Sequence, residues 1–144
     1  DASFHSRALA EIRAARCVAI GDPDHVPAGI YAMQALKNAG LNSAAEKKLI
    51  PVKDAQAVVS TVLRGACDLG IAYASTQNVS RQLSILGTFP ETYHSTIEYL
   101  GAVTARSKEH REAERFLTYV RSASSQKLLA VAGFIPATAE GPNE

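Results

Sequence analysis

A chain of 144 residues with 47% hydrophobic and 20% charged side chains has the composition of one soluble globular domain able to bury a core, which excludes disordered and fibrous architectures. Aromatics at 6%, no Trp and a net charge of +1 offer little to a base-stacking or polyanion-binding surface, so no nucleic-acid partner is expected. The longest uncharged apolar stretches, such as residues 128–135, fall far short of the roughly 20 residues a membrane span needs.

Along the chain, Phe4, Leu9, Ile12 and Ala15 recur at helical spacing and predict a first helix over residues 4–15, followed by a short buried strand at 17–21. Pro27 suits a first helical position because its missing N–H would be unpaired there, and the helix to Ala39 carries Ile30, Met33, Ala35 and Leu36 before Gly40 closes it. Residues 43–48 allow a helical turn or two, and 49–52 read as a strand. Asp54 is a good N-cap for a helix with Val58, Val59, Val62 and Leu63 as its apolar stripe and Gly65 as its stop. Residues 69–73 form another buried strand, turning helical at 74–77. Two consecutive strand-helix-strand steps predict a parallel sheet with right-handed crossovers, hence an α/β fold.

Beyond Ser80 the pattern changes to a strand-like run at 83–89, a turn at Pro90 and a longer run at 97–103 that is a candidate hinge strand. A charged helix over 108–121 follows, with Ala113, Phe116, Leu117 and Val120 at helical spacing. Ser122 caps a last helix bearing Leu128, Leu129 and Val131, which Gly133 stops; the tail from 137 onward is expected to be loose. Cys17 and Cys67 each stand before an apolar run, where a small buried thiol is the ordinary reading. A disulfide between them stays open, and without a CxxC pair a cysteine zinc site is not expected. The chain opens Asp-Ala-Ser-Phe-His-Ser-Arg with no basic region and apolar run, so either a signal has been removed or it starts inside a longer protein.

In open α/β sheets the usable crevice lies beyond the carboxyl ends of the strands, here the turns at 21–28, 52–55 and 73–76. Two of them open helices, whose first N–H groups lack internal partners and sit at the positive end of the dipole. The N–H groups of Ala28 and Ala55, with the Tyr73 hydroxyl as a neutral donor, are therefore candidates for holding one small anion without Lys or Arg. Most helix starts of this kind hold only water or a side-chain cap, which is the competing reading.

The run Val18-Ala19-Ile20-Gly21-Asp22-Pro23-Asp24-His25-Val26-Pro27-Ala28-Gly29-Ile30-Tyr31-Ala32 resembles a signature of periplasmic molybdate-binding proteins, receptors of oxyanion ABC importers with the type II periplasmic binding protein fold. The resemblance continues through Lys53-Asp54-Ala55, Leu69-Gly70-Ile71-Ala72-Tyr73, Gly87-Thr88-Phe89-Pro90-Glu91, Tyr99 and Ala132-Gly133-Phe134, covering most of residues 17–135. It implies molybdate or tungstate as ligand, with Ala28 N–H, Ala55 N–H and Tyr73 O–H as donors. It also implies a membrane permease as partner, a periplasmic or membrane-tethered extracellular location, and neither a catalytic step nor a cofactor. Where relatives carry Val this chain has Ala55, a harmless departure because only the backbone donates. The family's serine ligands lie in an N-terminal lobe that nothing before Asp1 supplies. Residues 1–100 are accordingly expected to form the second, ligand-binding lobe, a parallel-rich sheet flanked by helices. Residues 101–144 would be a return strand and C-terminal helices belonging to the first lobe, their apolar side chains Phe116, Leu117, Val120, Leu128 and Leu129 covered by a second copy or by the missing lobe.

Other residues carry weaker signals. His25 beside Asp22 and Asp24 suggests a metal, but in a loop that opens a helix, capping or solvation is the better reading. His5, His94 and His110 read as isolated and exposed, Ser75 and Thr76 as local caps, and residues 108–112 as a solvated helix face. Tyr31 and Tyr99 are further candidates for lining the cleft, with packing on its own helix the ordinary reading of Tyr31. Two other function classes compete with this reading: the ligand-sensing domain of a transcriptional regulator, and an enzyme using Asp22, Asp24 and His25.

Overall fold

In the computed structural model, which describes residues 2–79 and 82–137, helices and strands alternate as expected: α1 (Ala2–Ala14), β1 (Val18–Gly21), α2 (Pro27–Asn38), α3 (Asn42–Ala45), β2 (Leu49–Val52), α4 (Ala55–Leu63) and β3 (Leu69–Gly70). The three strands form a parallel sheet in the order β2-β1-β3, with Val18 opposite both Leu49 and Leu69. β1 is buried at every position, as a central strand covered on both faces must be. Val18 and Ile20 pack with Ala15 and Ala32 on one face, and Ala19 meets Val58 and Cys67 on the other. This two-residue alternation puts α2 on one side and α4 on the opposite side. Pro51, which lacks an N–H for the ladder, is confined to the outer strand β2.

The helix ends follow local chemistry. Gly40 and Gly65 both take φ +69°, the left-handed conformation that lets the chain leave α2 and α4. Helix α1 ends differently: the ammonium of Lys48 donates to the carbonyls of Ile12 (3.0 Å), Arg13 (2.6 Å) and Ala15 (2.8 Å). A cation on otherwise unpaired carbonyls at the negative end of a helix dipole supplies both hydrogen bonds and charge complementarity. Lys48→Met is expected to lower unfolding stability by about 1–2 kcal/mol in urea titrations. Lys47→Met on the exposed side of the same turn is the control, and equal effects would remove the capping role.

Cys17 and Cys67 are joined in a disulfide with their Cα atoms 5.1 Å apart, so the free-thiol reading of both is corrected. Each cysteine lies just before one of two adjacent parallel strands, and the α4 crossover brings them side by side across 50 residues of sequence. The neighbouring residues reinforce the junction. Asp68 accepts the Arg16 backbone N–H (2.7 Å) and its guanidinium (2.6 Å), which holds the Asp68 carboxyl below its ordinary pKa through the hydrogen bonds from Arg16.

The runs at 83–89 and 97–103 form no ladder among the described residues, correcting both strand expectations. An apolar run becomes a strand only where a sheet edge is offered to it; 83–89 instead packs by side chains. Phe89 meets Phe4 of α1 edge to face at 5.4 Å, and Gly87 lies so close to the Phe4 ring that an added Cβ would come within 2.5 Å. β3 is also shorter than the predicted 69–73, although Ile71 N–H still donates to Ala19 (3.0 Å).

The chain divides into two compact units, Asp1–Thr96 and Ile97–Glu144. The second holds α5 (His110–Arg121) and α6 (Ala123–Val131), with the Ser122 hydroxyl capping α6 at Ser125 N–H (3.3 Å). Tyr99 meets Phe134 at 5.6 Å, and Leu117 covers Gly101. Ser125 is the only buried residue among those described in this unit. Phe116 and Leu128 are 63% and 68% exposed, whereas Leu117, Val120 and Leu129 are half-buried. No helix among the described residues is long and apolar enough to cross a membrane. The tail expected to be loose lies outside the described residues from 138 onward.

Candidate anion site

Because β1, β2 and β3 run parallel, their carboxyl ends share one edge of the sheet. Ala28 is the second residue of α2, Ala55 the first of α4, and Tyr73 lies three residues past β3, before the 3-10 turn Ala74–Val79. All three predicted site residues thus follow strand ends on that edge, two of them at helix N-termini.

The turn between β1 and α2 is organised by Asp22. Its N–H donates to Val52 (2.8 Å), extending the ladder to β2, and its carbonyl accepts His25 N–H (3.2 Å) and Val26 N–H (2.9 Å). Its carboxylate accepts Asp24 N–H (3.0 Å) and lies 2.7 Å from His25 Nδ1. The hydrogen bond from Asp24, then that from His25, holds the Asp22 carboxyl below its ordinary pKa, while the bond to Asp22 raises that of His25. The Asp22 carboxylate therefore serves as a turn cap, as the sequence suggested for this cluster. At the start of α2, Pro27 has no N–H, and Gly29 and Ile30 both donate back to Val26 (3.0 and 3.4 Å). Ala28 carries the remaining amide of the first turn.

Gly29 explains how this helix start reaches the strand end. A Cβ there would overlap the Gly21 carbonyl oxygen and lie within 2.6 Å of the Gly21 and Asp22 carbonyl carbons, so only glycine allows α2 to meet β1 backbone to backbone. The sequence reading missed this role, although a glycine two residues beyond the Pro27 helix start was its visible signal. At α4 the Asp54 carboxylate accepts Ala57 N–H (2.7 Å) and its carbonyl accepts Val58 N–H (3.2 Å), which leaves Ala55 and Gln56 as the first-turn amides without an intrahelical acceptor.

Tyr73 is half-buried, and its carbonyl accepts the Thr76 N–H (3.0 Å) and hydroxyl (2.6 Å), the local capping expected of Thr76. Its ring meets Tyr31 at 6.5 Å in a T-shaped arrangement, and Tyr31 in turn lies 6.1 Å from the His94 ring. Two readings are corrected here: Tyr31 packs across to neighbouring segments, and His94 is neither isolated nor fully exposed. His110 pairs with Glu114 at 3.4 Å on the exposed face of α5, so it too has a partner. The sheet edge thus carries two helix N-termini, whose positive dipole ends and first-turn amides suit an anion.

Comparison with known proteins agrees with this architecture. Residues 3–135 match the bacterial extracellular solute-binding protein family. Over 117 residues, 81% of the chain, it is 34% identical to the molybdate-binding protein ModA of Escherichia coli and 31% identical to a putative ABC transporter substrate-binding lipoprotein, YvgL, of Bacillus subtilis. It spans about half the length of these curated relatives, 45% of each. Among solved structures it is similar to the substrate-binding domain of a putative molybdenum ABC transporter from Clostridium difficile, with a TM-score of 0.74, 30% identity, and coverage of 86% of this chain and 54% of that one. It is also similar to the Azotobacter vinelandii periplasmic molybdate-binding protein, with a TM-score of 0.68, 25% identity, and coverage of 85% and 55%. With a parallel sheet flanked by helices and a family match over nearly its whole length, the chain belongs to the bacterial extracellular solute-binding proteins.

Proposed function

We propose that this chain is the ligand-binding half of an oxyanion receptor serving an ABC importer, taking molybdate or tungstate through Ala28 N–H, Ala55 N–H and Tyr73 O–H. The observation that carries this reading is the pair of helix N-termini following adjacent parallel strands at one sheet edge, in a chain similar to molybdate-binding proteins. Neutral, preorganised donors prefer a large tetrahedral dianion over sulfate through cavity size, because a smaller oxyanion leaves buried donors unpaired at about 1–3 kcal/mol each. The relatives named above are binding and transport proteins, and no observation favours the sensory or enzymatic reading.

In this reading residues 1–100 are the second lobe and 101–144 return to the first, where Phe116, Leu117, Val120, Leu128 and Leu129 find their cover in that lobe or in a second copy. The remaining ligand donors come from the first lobe, and the partner in transport is the membrane permease. The Cys17–Cys67 disulfide supports a location outside the cytoplasm, where such bonds persist.

Isothermal calorimetry with molybdate, tungstate and sulfate, on this chain and on a form extended at its amino end by a first lobe, tests the proposal. Binding of molybdate and tungstate by the extended form, with sulfate much weaker, is expected; no heat with either metal oxyanion in either form would overturn it. In the extended form Tyr73→Phe removes one neutral donor and is expected to weaken molybdate about 5–10-fold. Ala55→Val, which keeps the backbone donor, should leave affinity unchanged.

A further inference from the structure

We propose that Tyr31 is a positioning residue that holds the Tyr73 ring at the sheet edge, and that α2 thereby ties the ligand site to the segment through which the chain leaves its first unit. The proposal rests on the reading of Tyr73 as a ligand donor. Tyr73 lies beyond the last strand residue, and the ladder ends one donor after it, at the bond from Ile71 to Ala19. The Tyr73 carbonyl is held by Thr76, and its ring packs against the Tyr31 side chain. Tyr31 supplies an aromatic face at 6.5 Å and 61°, within the range of favourable edge-to-face pairs.

Tyr31 is itself restrained. It belongs to a stripe of α2 made by Tyr31, Gln34 and Asn38, spaced at i, i+3 and i+7 and so on one side of the helix. The whole stripe engages residues 93–95: Asn38 Nδ2 donates to the Tyr93 carbonyl (2.9 Å), Gln34 Oε1 accepts Ser95 N–H (2.8 Å), and Tyr31 meets the His94 ring at 6.1 Å. The buried positions Ala28, Ala32, Ala35 and Leu36 hold the rest of the helix in the core. One rigid helix thus presents the Ala28 amide, buttresses Tyr73 and fastens the segment that ends at Thr96, the boundary of the first unit.

The test is a double-mutant cycle in the two-lobed receptor, with molybdate affinity as one readout and the side-chain couplings of Tyr73, measured by NMR without ligand, as the other. Tyr31→Phe keeps the ring and is expected to leave both unchanged. Tyr31→Leu should weaken molybdate about five-fold, equivalent to about 1 kcal/mol, and average the Tyr73 couplings over several rotamers. In a Tyr73→Phe background the same substitution should cost no further affinity, because the hydroxyl it positions is gone. A five-fold loss that persists in that background, or a Tyr73 ring that keeps one rotamer without Tyr31, would overturn the proposal. Should the receptor take no molybdate at all, the reading of the ligand fails, and the couplings still decide whether Tyr31 positions Tyr73.

Discussion

Replacing Cys17 and Cys67 together with serine is expected to lower unfolding stability by about 4 kcal/mol, the value the chain-entropy relation gives for a loop of about 50 residues. For a domain whose total stability is of order 5–15 kcal/mol, this is a large share. The staple sits at the amino ends of β1 and β3 and keeps the central strand beside its neighbour where the ladder is shortest. Urea titration of the wild type with and without reductant, beside the double serine variant, measures the effect. Reduced wild type and variant should coincide; a shift below about 1 kcal/mol would show that the Arg16–Asp68 pair and the packing of Ala19, Val58 and Cys67 already fix this junction.

Gly29→Ala is the second substitution with a large expected effect. Its Cβ has nowhere to go: the obstruction is the Gly21 and Asp22 backbone, not a flexible side chain, so the start of α2 must lift from the end of β1. Overpacking of this kind costs about 1–3 kcal/mol and occasionally more, and the upper end is expected here because two main chains are forced apart. The same displacement moves the Ala28 amide, so ligand affinity should fall with stability, although residue 29 contributes no donor to the proposed site. Thermal denaturation and calorimetry on one preparation check both effects. Ala28→Gly is the control, because it keeps the donor and adds no atom; a Gly29→Ala protein with wild-type melting would sink the close-contact argument.

Most of the first unit was legible because its elements are announced locally. Pro27, Asp54, Gly40 and Gly65 mark the ends of α2 and α4, and buried runs between them can only be strands of a covered parallel sheet. What was not legible depended on tertiary partners. The runs at 83–89 and 97–103 carry strand-like composition, yet pairing is a property of two segments, and the first of them found the Phe4 ring instead of a sheet edge. The disulfide was undecidable for the same reason: 50 residues separate two cysteines whose proximity exists only once β3 has docked on β1. At the candidate site, Ala28, Ala55 and Tyr73 came from a motif and the helix-terminus argument. The capping role at Asp22 and a place near the cleft for Tyr31 were also suggested by the sequence, whereas the close approach at Gly29 and the packing of Tyr31 with Tyr73 and His94 emerged only from the fold.

The order of these parts along the chain has a consequence for synthesis. A chain emerging amino end first has both cysteines, all three strands and α1 through α4 available before residue 97 appears. At about 5–20 residues per second the remaining residues up to 137 take roughly 2–8 s, ample for the leading unit to collapse. The exposed apolar side chains Phe116 and Leu128 thus emerge only after the first unit has had time to fold. A circularly permuted version that led with residues 97–137 would expose these side chains first, and precipitation during production is the vulnerability such a rearrangement would create.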